Sequence, residues 1–402
     1  MHEWALAEAV ISTALKAAEK ERVRKITEIA VSLGELQHLA QDLLDSIQRD
    51  PALSEARREI LAGETTAMQT TLRILAGEPL TLTEEVQGLY GVQAEWTEES
   101  VFDELLRDLD EALPGSGRLG ERVRAFDTAT EISAEVARAV IEGLAQQLRQ
   151  STRRLIELPE GEACEVSIVR DKPWRAYNWY LGQSKSRIEF SEDVPIRFPM
   201  LPRLVAHEAY AGHHTEHAIK EAQLYRQAGQ LEYCLVLANA PSAVVSEGIA
   251  TAAFDVVTPP QERLEMLRQA GDRHGLRLPD PATMEVVTQA YGRMKAVLSN
   301  ATLLRYDGGA TDSEILSYQQ RFTLCSDEEA ARGLAFLRDP LWRSYSFTYT
   351  TGEELVRGLL AASPSPQEAF AGLLREPVHP AQLRRGTQHH SPSQGISGPA
   401  GR

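Results

Sequence analysis

The spacing of apolar residues predicts that most of this chain is helical. After Ser133, the residues Val136, Val140, Leu144 and Leu148 recur at every fourth position and mark one face of a long amphipathic helix. Three further places carry a hydroxyl three positions before a glutamate, a pattern typical of helix starts: Ser326 and Glu329, Thr351 and Glu354, Ser365 and Glu368. We therefore expect a mainly α fold.

Short segments depart from this helical pattern. Residues 165–169 and 187–190 alternate as strands do, and breaks near Pro173 and Gly182 separate them. We expect a small antiparallel β-sheet there, directly before a histidine-rich segment. Near the start of the chain, residues 7–20 are predicted to form a helix and residues 25–33 a strand that ends at Gly34.

Composition narrows the class of protein. The 402 residues carry 42 Lys and Arg against 58 Asp and Glu, a formal net charge of −16. This acid surplus argues against a nucleic-acid partner and slightly favours cationic substrates through long-range steering. The cysteines Cys164, Cys234 and Cys325 form no CxxC pair, which excludes a disulfide framework and a cysteine-built zinc ribbon. Because neither a membrane-length apolar stretch nor a signal peptide is evident, we expect a cytoplasmic protein without a membrane partner.

Histidines are concentrated in one segment of the chain. Of the ten histidines, His207, His213, His214 and His217 fall close together, and Glu208 follows the first of them. Imidazole is a common zinc ligand, and a neighbouring glutamate is the usual general base of zinc hydrolases. This cluster is our candidate for a catalytic metal site.

The spacing of the cluster does not suit a straight helix. There, His207 and His214 would lie about 10.5 Å apart along the axis, which is too far for one metal ion. A bend at Gly212 would bring a later histidine beside His207. Spacing alone leaves open whether that histidine is His213 or His214.

The same letters contain a second zinc motif. His213, Glu216 and His217 follow the inverted pattern HxxEH, which places two histidines on one face of an unbroken helix. In this alternative, Glu216 would replace Glu208 as the base.

A third ligand is expected from a helix at residues 242–257. This segment begins with Ser242 as a cap and is apolar nearly all round, so it is predicted to be buried. Glu247 lies in its middle, and a buried carboxylate is costly unless it is paired with a cation. Glu247 is therefore either a metal ligand or the partner of a buried arginine.

These segments resemble a known family. HEAYAGHH at residues 207–214 and EGIA at residues 247–250 are similar to the HExxPGHH and EGWALY signatures of the domain-of-unknown-function 885 family. Residues 343–352 and 373–377 resemble that family's C-terminal segments, and residues 74–78 and 113–117 also fit it. The resemblance covers roughly residues 50–383, with Ala211 where the family usually has Pro and Ile249 where it usually has Trp.

This resemblance implies a large helical, zincin-like body of gluzincin type. It implies that zinc is held by His207 and Glu247 with one of the later histidines, and that Glu208 is the base. It does not choose between His213 and His214.

The first residues of the chain resemble a different family. Residues 1–40 are similar to the start of the hydrogenase-maturation nickel metallochaperones, whose first residues bind nickel. This implies a nickel site at His2 and Glu3, since nitrogen-rich, near-planar ligation suits Ni(II). We therefore expect a metallochaperone-like fragment at residues 1–45, a helical metallopeptidase-like domain at residues 46–383 and a disordered tail at residues 384–402.

Together these features predict a zinc-dependent hydrolase that cleaves a peptide or another amide. Tyr345, Tyr349 or the spare histidine would stabilise the oxyanion, and residues 187–190 could pair with an extended substrate as an edge strand. Two other functions stay open. One is a nickel-binding protein that delivers metal to hydrogenase-maturation partners, and the other is a catalytically inactive helical scaffold.

Overall fold

The computed structural model describes residues 26–172, 174–234 and 236–388, except for the side chains of residues 26–31 and 386–388. The described part is mainly α-helical, as the apolar spacing predicted. Before the sheet come α1 Ile26–Arg49, α2 Glu55–Leu75, α3 Leu82–Tyr90, α4 Glu99–Ala112, α5 Leu119–Thr130 and α6 Ala134–Leu155.

A small sheet and a second series of helices follow. The strands are β1 Ala163–Val169, β2 Ala176–Gly182 and β3 Lys185–Ser191. Among the described residues, no helix is both long and apolar enough to cross a bilayer. The later helices are α7 Leu201–Glu208, α8 His213–Lys220, α9 Pro241–Val257, α10 Pro260–His274, α11 Pro281–Arg293, α12 Ala296–Tyr306, α13 Asp312–Thr323, α14 Asp327–Arg338, α15 Ser346–Ala362, α16 Pro366–Arg375 and α17 Pro380–Gln388.

Local signals set several of these helix starts. The Ser133 hydroxyl caps α6 by accepting from the backbone N–H of Val136, and Ser326 forms the predicted capping box at α14. Ser365 precedes α16 as predicted but makes no side-chain cap bond. The start predicted at Thr351 is wrong, because this residue is buried inside α15, which begins at Ser346.

The sheet differs from the prediction in its topology. The strand order is β1-β3-β2, with β2 antiparallel to β3 and β1 parallel to β3. The two predicted segments, in β1 and β3, therefore pair parallel and not antiparallel as expected. The antiparallel pair is formed with β2, which was not predicted, because the tight β2–β3 hairpin folds β3 back between the two outer strands. Since β3 is central, the prediction that residues 187–190 form a free edge is also wrong. The edge that lines the main cleft belongs to β2.

Both ends of the described chain are helical where other structure was expected. Residues 26–33 lie in α1, so the predicted strand at residues 25–33 is wrong. The apolar residues Ile26, Ile29, Ala30 and Leu33 also fit helical spacing, and this short pattern could not separate the two periods. Residues 384–388 belong to α17, so the expected tail does not start at 384. The predicted helix at residues 7–20 and the tail at residues 389–402 lie outside the described residues.

The main apolar core runs through most of the described chain. It extends from Leu82 in α3 to Leu383 in α17 and includes the sheet, the motif helices and α9. The boundary predicted between residues 45 and 46 falls inside α1, where the helix is continuous. The division into three parts stays a prediction.

Two glycines let α9 and α15 pack with their backbones in contact. A Cβ atom added at Gly352 would lie 2.1 Å from the carbonyl oxygen of Val244, and one at Gly248 would lie 2.2 Å from the carbonyl oxygen of Gly352. Such distances exclude any side chain at either position. This contact fixes Glu247 on α9 relative to Tyr345, which directly precedes α15.

We expect Gly352→Ala to lower the free energy of unfolding by about 2 kcal/mol, because the added methyl overpacks the contact between α9 and α15. Gly372→Ala in α16 is the matched control, since its Cβ would meet nothing within 4 Å. That control should be neutral or stabilise the fold by up to about 1 kcal/mol, the helix-propensity gain. Thermal and denaturant unfolding of both variants measure the difference, and equal stabilities would contradict the packing argument.

Candidate metal centre

The histidine-rich segment contains the bend that the spacing required. Helix α7 ends at Glu208 and α8 begins at His213, with Ala211 between them at a left-handed φ of 76°. A Cβ atom at Gly212 would lie 2.0 Å from the carbonyl oxygen of His207, so only glycine fits there. The hydroxyl of Thr215 accepts a 2.9 Å hydrogen bond from the N–H of Ala211 and holds the turn.

Three side chains from separate elements converge at this bend. His207 ends α7, His213 opens α8 and Glu247 comes from α9, with one ligand atom from each lying within 4.8 Å of the others. The two histidine Nε2 atoms are 3.2 Å apart. Glu247 Oε2 lies 3.2 Å from His207 Nε2, and Glu247 Oε1 lies 3.7 Å from His213 Nε2. All three side chains are largely buried. We call these three side chains the metal group, because two nitrogens and a carboxylate could hold a divalent cation.

Hydrogen bonds behind His213 fix its tautomer. The Ser246 hydroxyl donates to Glu216 Oε2 over 2.5 Å, so its oxygen accepts from His213 Nδ1 over 3.0 Å. His213 therefore carries its proton on Nδ1 and presents the lone pair of Nε2 to the centre. Lys220 donates to the other oxygen of Glu216 over 2.6 Å and keeps this carboxylate ionised.

Glu247 is buried as a carboxylate. Burial alone would raise its pKa, but the neighbouring imidazoles of His213 and His207 and the hydrogen bond from Tyr345 lower the pKa to about 2. The Tyr345 hydroxyl donates to Oε1 over 2.8 Å, whereas the buried Oε2 receives no hydrogen bond from the described residues. The alternative of a salt bridge to a buried arginine is wrong, since the partners of Glu247 are histidines and a tyrosine. One buried oxygen remains able to bind a cation.

Glu208 lies beside this group at the end of α7. Its side chain is buried and lines the cleft, and burial raises the pKa of its carboxyl above the usual value. The Asn178 side chain on β2 donates to the Glu208 carbonyl over 2.5 Å and so ties the helix end to the edge strand. Tyr349 lines the same cleft, and burial together with the charges of Glu247 and Glu208 raises the pKa of its phenol well above 10.

His214 is directed away from the metal group, so the proposal that it ligates the metal is not supported by its position. Its ring is fully buried, with Nδ1 2.9 Å from Ser186 Oγ on β3 and Nε2 3.3 Å from Glu162 Oε2. Adjacent residues of a helix point about 100° apart, so His213 and His214 cannot face the same point. The bend turns His213 inward to the centre and leaves His214 against the sheet.

The inverted motif is not assembled as a metal site in the described part. Glu216 is bonded to Ser246 and Lys220, and the His217 ring stacks on that of His213 at 6.0 Å between centroids. Burial lowers the pKa of His217 to about 4, so its ring is neutral. His217 does not belong to the converging group. The other candidate ligands, His2 and Glu3, lie outside the described residues.

The centre opens into a large cleft of about 2760 Å³. Its lining includes His207, Glu208, Glu247, the edge strand β2 and Tyr349. A cleft of this size admits a substrate several residues long. Two residues of this region, Ser246 and Lys295, were not singled out in the sequence. Only the serine carried a signal, since it directly precedes Glu247.

Comparison with known families matches the head of the chain. The family model described as hydrogenase/urease nickel incorporation, metallochaperone, hypA matches residues 1–63. Hydrogenase maturation factor HypA of Thermococcus gammatolerans is 46% identical over 44 residues, which is 11% of this chain and 32% of that protein. The factor of Thermococcus sibiricus is 35% identical over 68 residues, 16% of this chain and 49% of that protein. The predicted likeness of the head to nickel metallochaperones is thus confirmed, and the chain spans between about a third and a half of these curated relatives.

Comparison with solved structures matches most of the chain. A crystal structure of a protein from Colwellia psychrerythraea has a TM-score of 0.55 and 16% identity, over 87% of this chain and 66% of that chain. A second, from Shewanella oneidensis and of unknown function, has a TM-score of 0.49 and 10% identity, over 88% and 72% of the two chains. The first likeness shows a shared fold and, at this identity, nothing about activity.

We expect Ser246→Ala to weaken the binding of Zn²⁺, used as a probe, by about 10- to 100-fold, because His213 loses the acceptor that fixes its tautomer. Thr251→Ala is the control, since this hydroxyl lies on the same helix and makes no hydrogen bond with the described residues. Competition with a chromophoric chelator measures both affinities. Equal affinities would show that the Ser246 contact does not orient the ligand.

Proposed function

We propose that this protein is a zinc-dependent hydrolase of peptide or other amide bonds. The observation that carries the proposal is the convergence of His207, His213 and Glu247 beside Glu208, at the wall of a cleft large enough for a peptide. Two histidines with a glutamate from a later helix form a donor set used in catalytic zinc sites.

Two of the donor separations suit this metal. Ligands of a tetrahedral zinc ion at 2.0–2.1 Å lie about 3.3 Å from one another. The two Nε2 atoms are 3.2 Å apart and Glu247 Oε2 lies 3.2 Å from His207 Nε2, whereas His213 Nε2 is 3.7 Å from the other oxygen, Oε1. A cation shared by the two Nε2 atoms and Glu247 Oε2 would stabilise that oxygen, which is buried and receives no hydrogen bond from the described residues.

The side chains around the group supply the rest of the chemistry. Zinc at this position would act as a Lewis acid toward the scissile carbonyl and the attacking water. Glu208 would take a proton from that water and pass it to the leaving nitrogen, a role that its raised pKa favours. Tyr345 orients Glu247, and the phenol of Tyr349 is a donor for the developing oxyanion.

The resemblance of residues 207–214 and 247–250 to the domain-of-unknown-function 885 signatures supports the same assignment. Ala211 replaces the usual proline of that motif. The left-handed conformation of Ala211 and the tight approach of Gly212 supply the bend without it. This departure therefore does not weaken the proposal. The substrate expected is a peptide or small amide.

A second candidate function concerns the head. The match of residues 1–63 to the nickel metallochaperone model favours a nickel site at His2 and Glu3. Its partners would be hydrogenase-maturation proteins. His2→Ala should abolish tight nickel binding in the full chain and leave zinc content unchanged, as measured by equilibrium dialysis with metal analysis.

We expect Glu208→Gln to lower the rate of peptide hydrolysis by about 10²- to 10⁴-fold, because the general base is lost. Zinc content should stay near that of the wild-type protein, whereas Glu247→Ala should lose the metal. Glu328→Gln is the matched control, an exposed glutamate of the same cleft without an ion pair in the described residues. Amine release from a panel of short peptides and metal analysis of each variant are the measurements.

The alternatives give different results in the same experiment. Under the inverted motif, Glu216→Gln would abolish activity and Glu208→Gln would not. For an inactive scaffold, metal content would not change when His207 and Glu247 are replaced. Either pattern would overturn the proposal.

A further inference from the structure

Lys295 is a basic side chain beside the metal centre that nothing in the sequence singled out. It lies in the turn between α11 and α12, is exposed, and lines the same cleft as His207 and Glu208. Its Nζ atom is 5.1 Å from the centroid of the Tyr349 ring. No hydrogen bond or ion pair joins this ammonium group to another described residue. It is therefore accessible and able to bind an anion.

A short series of contacts links Lys295 to the metal group. The Tyr345 hydroxyl is 2.8 Å from Glu247, the rings of Tyr345 and Tyr349 are 5.5 Å apart, and Lys295 lies 5.1 Å from the second ring. An extended peptide advances about 3.3 Å per residue. This path is short enough for an extended peptide of a few residues to reach from the ligands to the ammonium group.

The surroundings of Lys295 restrict what it can do. The positive charge of Lys295 acts to lower the pKa of the Glu208 carboxyl, but the two side chains form no ion pair. The Tyr349 ring holds the ammonium through a cation–π contact and leaves its N–H donors open to the cleft. A substrate carboxylate would complete this arrangement, because it is the anion that every unmodified peptide carries at its C-terminus.

We propose that Lys295 binds the C-terminal carboxylate of a short peptide, so that the centre removes a segment of a few residues from the end of the chain. This inference rests on the proposed hydrolase function. The reaction is simple hydrolysis: the C–N bond breaks, the water oxygen joins the acyl carbon, and a water proton passes to the leaving amine. Lys295 takes no proton in it. The preference for an anionic substrate is opposite to the slight preference for cations that the net charge suggested.

The test compares peptides that differ only at their ends. The probes are acetyl-trialanine with a free carboxylate, the same peptide as the C-terminal amide, and an amide with aspartate as its last residue. The proteins are the zinc-loaded full chain with its variants Lys295→Gln, Lys295→Arg and Arg293→Gln. Arg293 is the matched control, since it is an exposed cation of the same cleft two positions earlier in the chain.

We expect the wild-type protein to prefer the free carboxylate over the amide by about 10- to 100-fold in kcat/KM, through KM. Lys295→Gln should abolish that preference, Lys295→Arg should restore most of it, and Arg293→Gln should retain it. If the aspartyl amide is cleaved as well as the free carboxylate, the group bound is a side-chain carboxylate and the exopeptidase assignment is wrong. An equal loss for all three peptides in Lys295→Gln would mean that Lys295 acts through Glu208, and this too would overturn the inference.

Binding separates this inference from the proposed function. Calorimetry of the three peptides with the Glu208→Gln variant, with and without Lys295→Gln, requires no hydrolysis. Preferential binding of the free carboxylate that depends on Lys295 supports the subsite even where no peptide is cleaved, in which case the hydrolase proposal fails alone. Hydrolysis by the wild-type protein without any carboxylate preference leaves the hydrolase standing and refutes the subsite. Absence of binding of all three peptides refutes it as well.

Discussion

The candidate site depends on an interruption of the backbone between two short helices. His207 and His213 are six positions apart, which on a continuous helix would leave their rings on different sides and about 9 Å apart along the axis. The left-handed Ala211 and the side-chain-free Gly212 shorten that path until the two Nε2 atoms are 3.2 Å apart. Two unprotonated nitrogens at this distance repel each other unless a cation or proton lies between them. The turn therefore concentrates acceptors at one point, and the remaining structure has to stabilise that arrangement.

That stabilisation comes from helices α9 and α15, which pack beside the turn. Helices α9 and α15 touch through Gly248 and Gly352, and this close packing sets Glu247 against the histidines and Tyr345 against Glu247. Burial of the carboxylate is costly by itself, and the imidazoles and the phenol offset that cost. The close packing of α9 against α15 thus fixes the positions of the polar groups that stabilise the Glu247 carboxylate.

The sequence allowed the bend to be predicted, because no metal could bridge His207 and a later histidine of an unbroken helix. It did not allow a choice between His213 and His214, since that depends on the dihedral angles of Ala211, which spacing does not encode. The predicted strand arrangement was wrong for a related reason. Alternation of apolar and polar residues indicates strands but not their order, so the central position of β3 was missed. Lys295 was missed because it is distant in sequence from the motif and reaches it only through the packing of the turn after α11 on Tyr349.

The adjacent residues His213 and His214 have different structural roles. His213 faces the metal group and is held from behind by Ser246, while His214 is anchored to Ser186 on β3 and to Glu162. Glu162 is in turn bound by Arg149 of α6 at 2.6 Å, so the anchor connects the bend with both the sheet and a long helix. The bonds of His214 and Glu162 do not involve the proposed metal ligands. The fold orients His213 without an ion, so the candidate site would be preorganised for a cation rather than assembled by one.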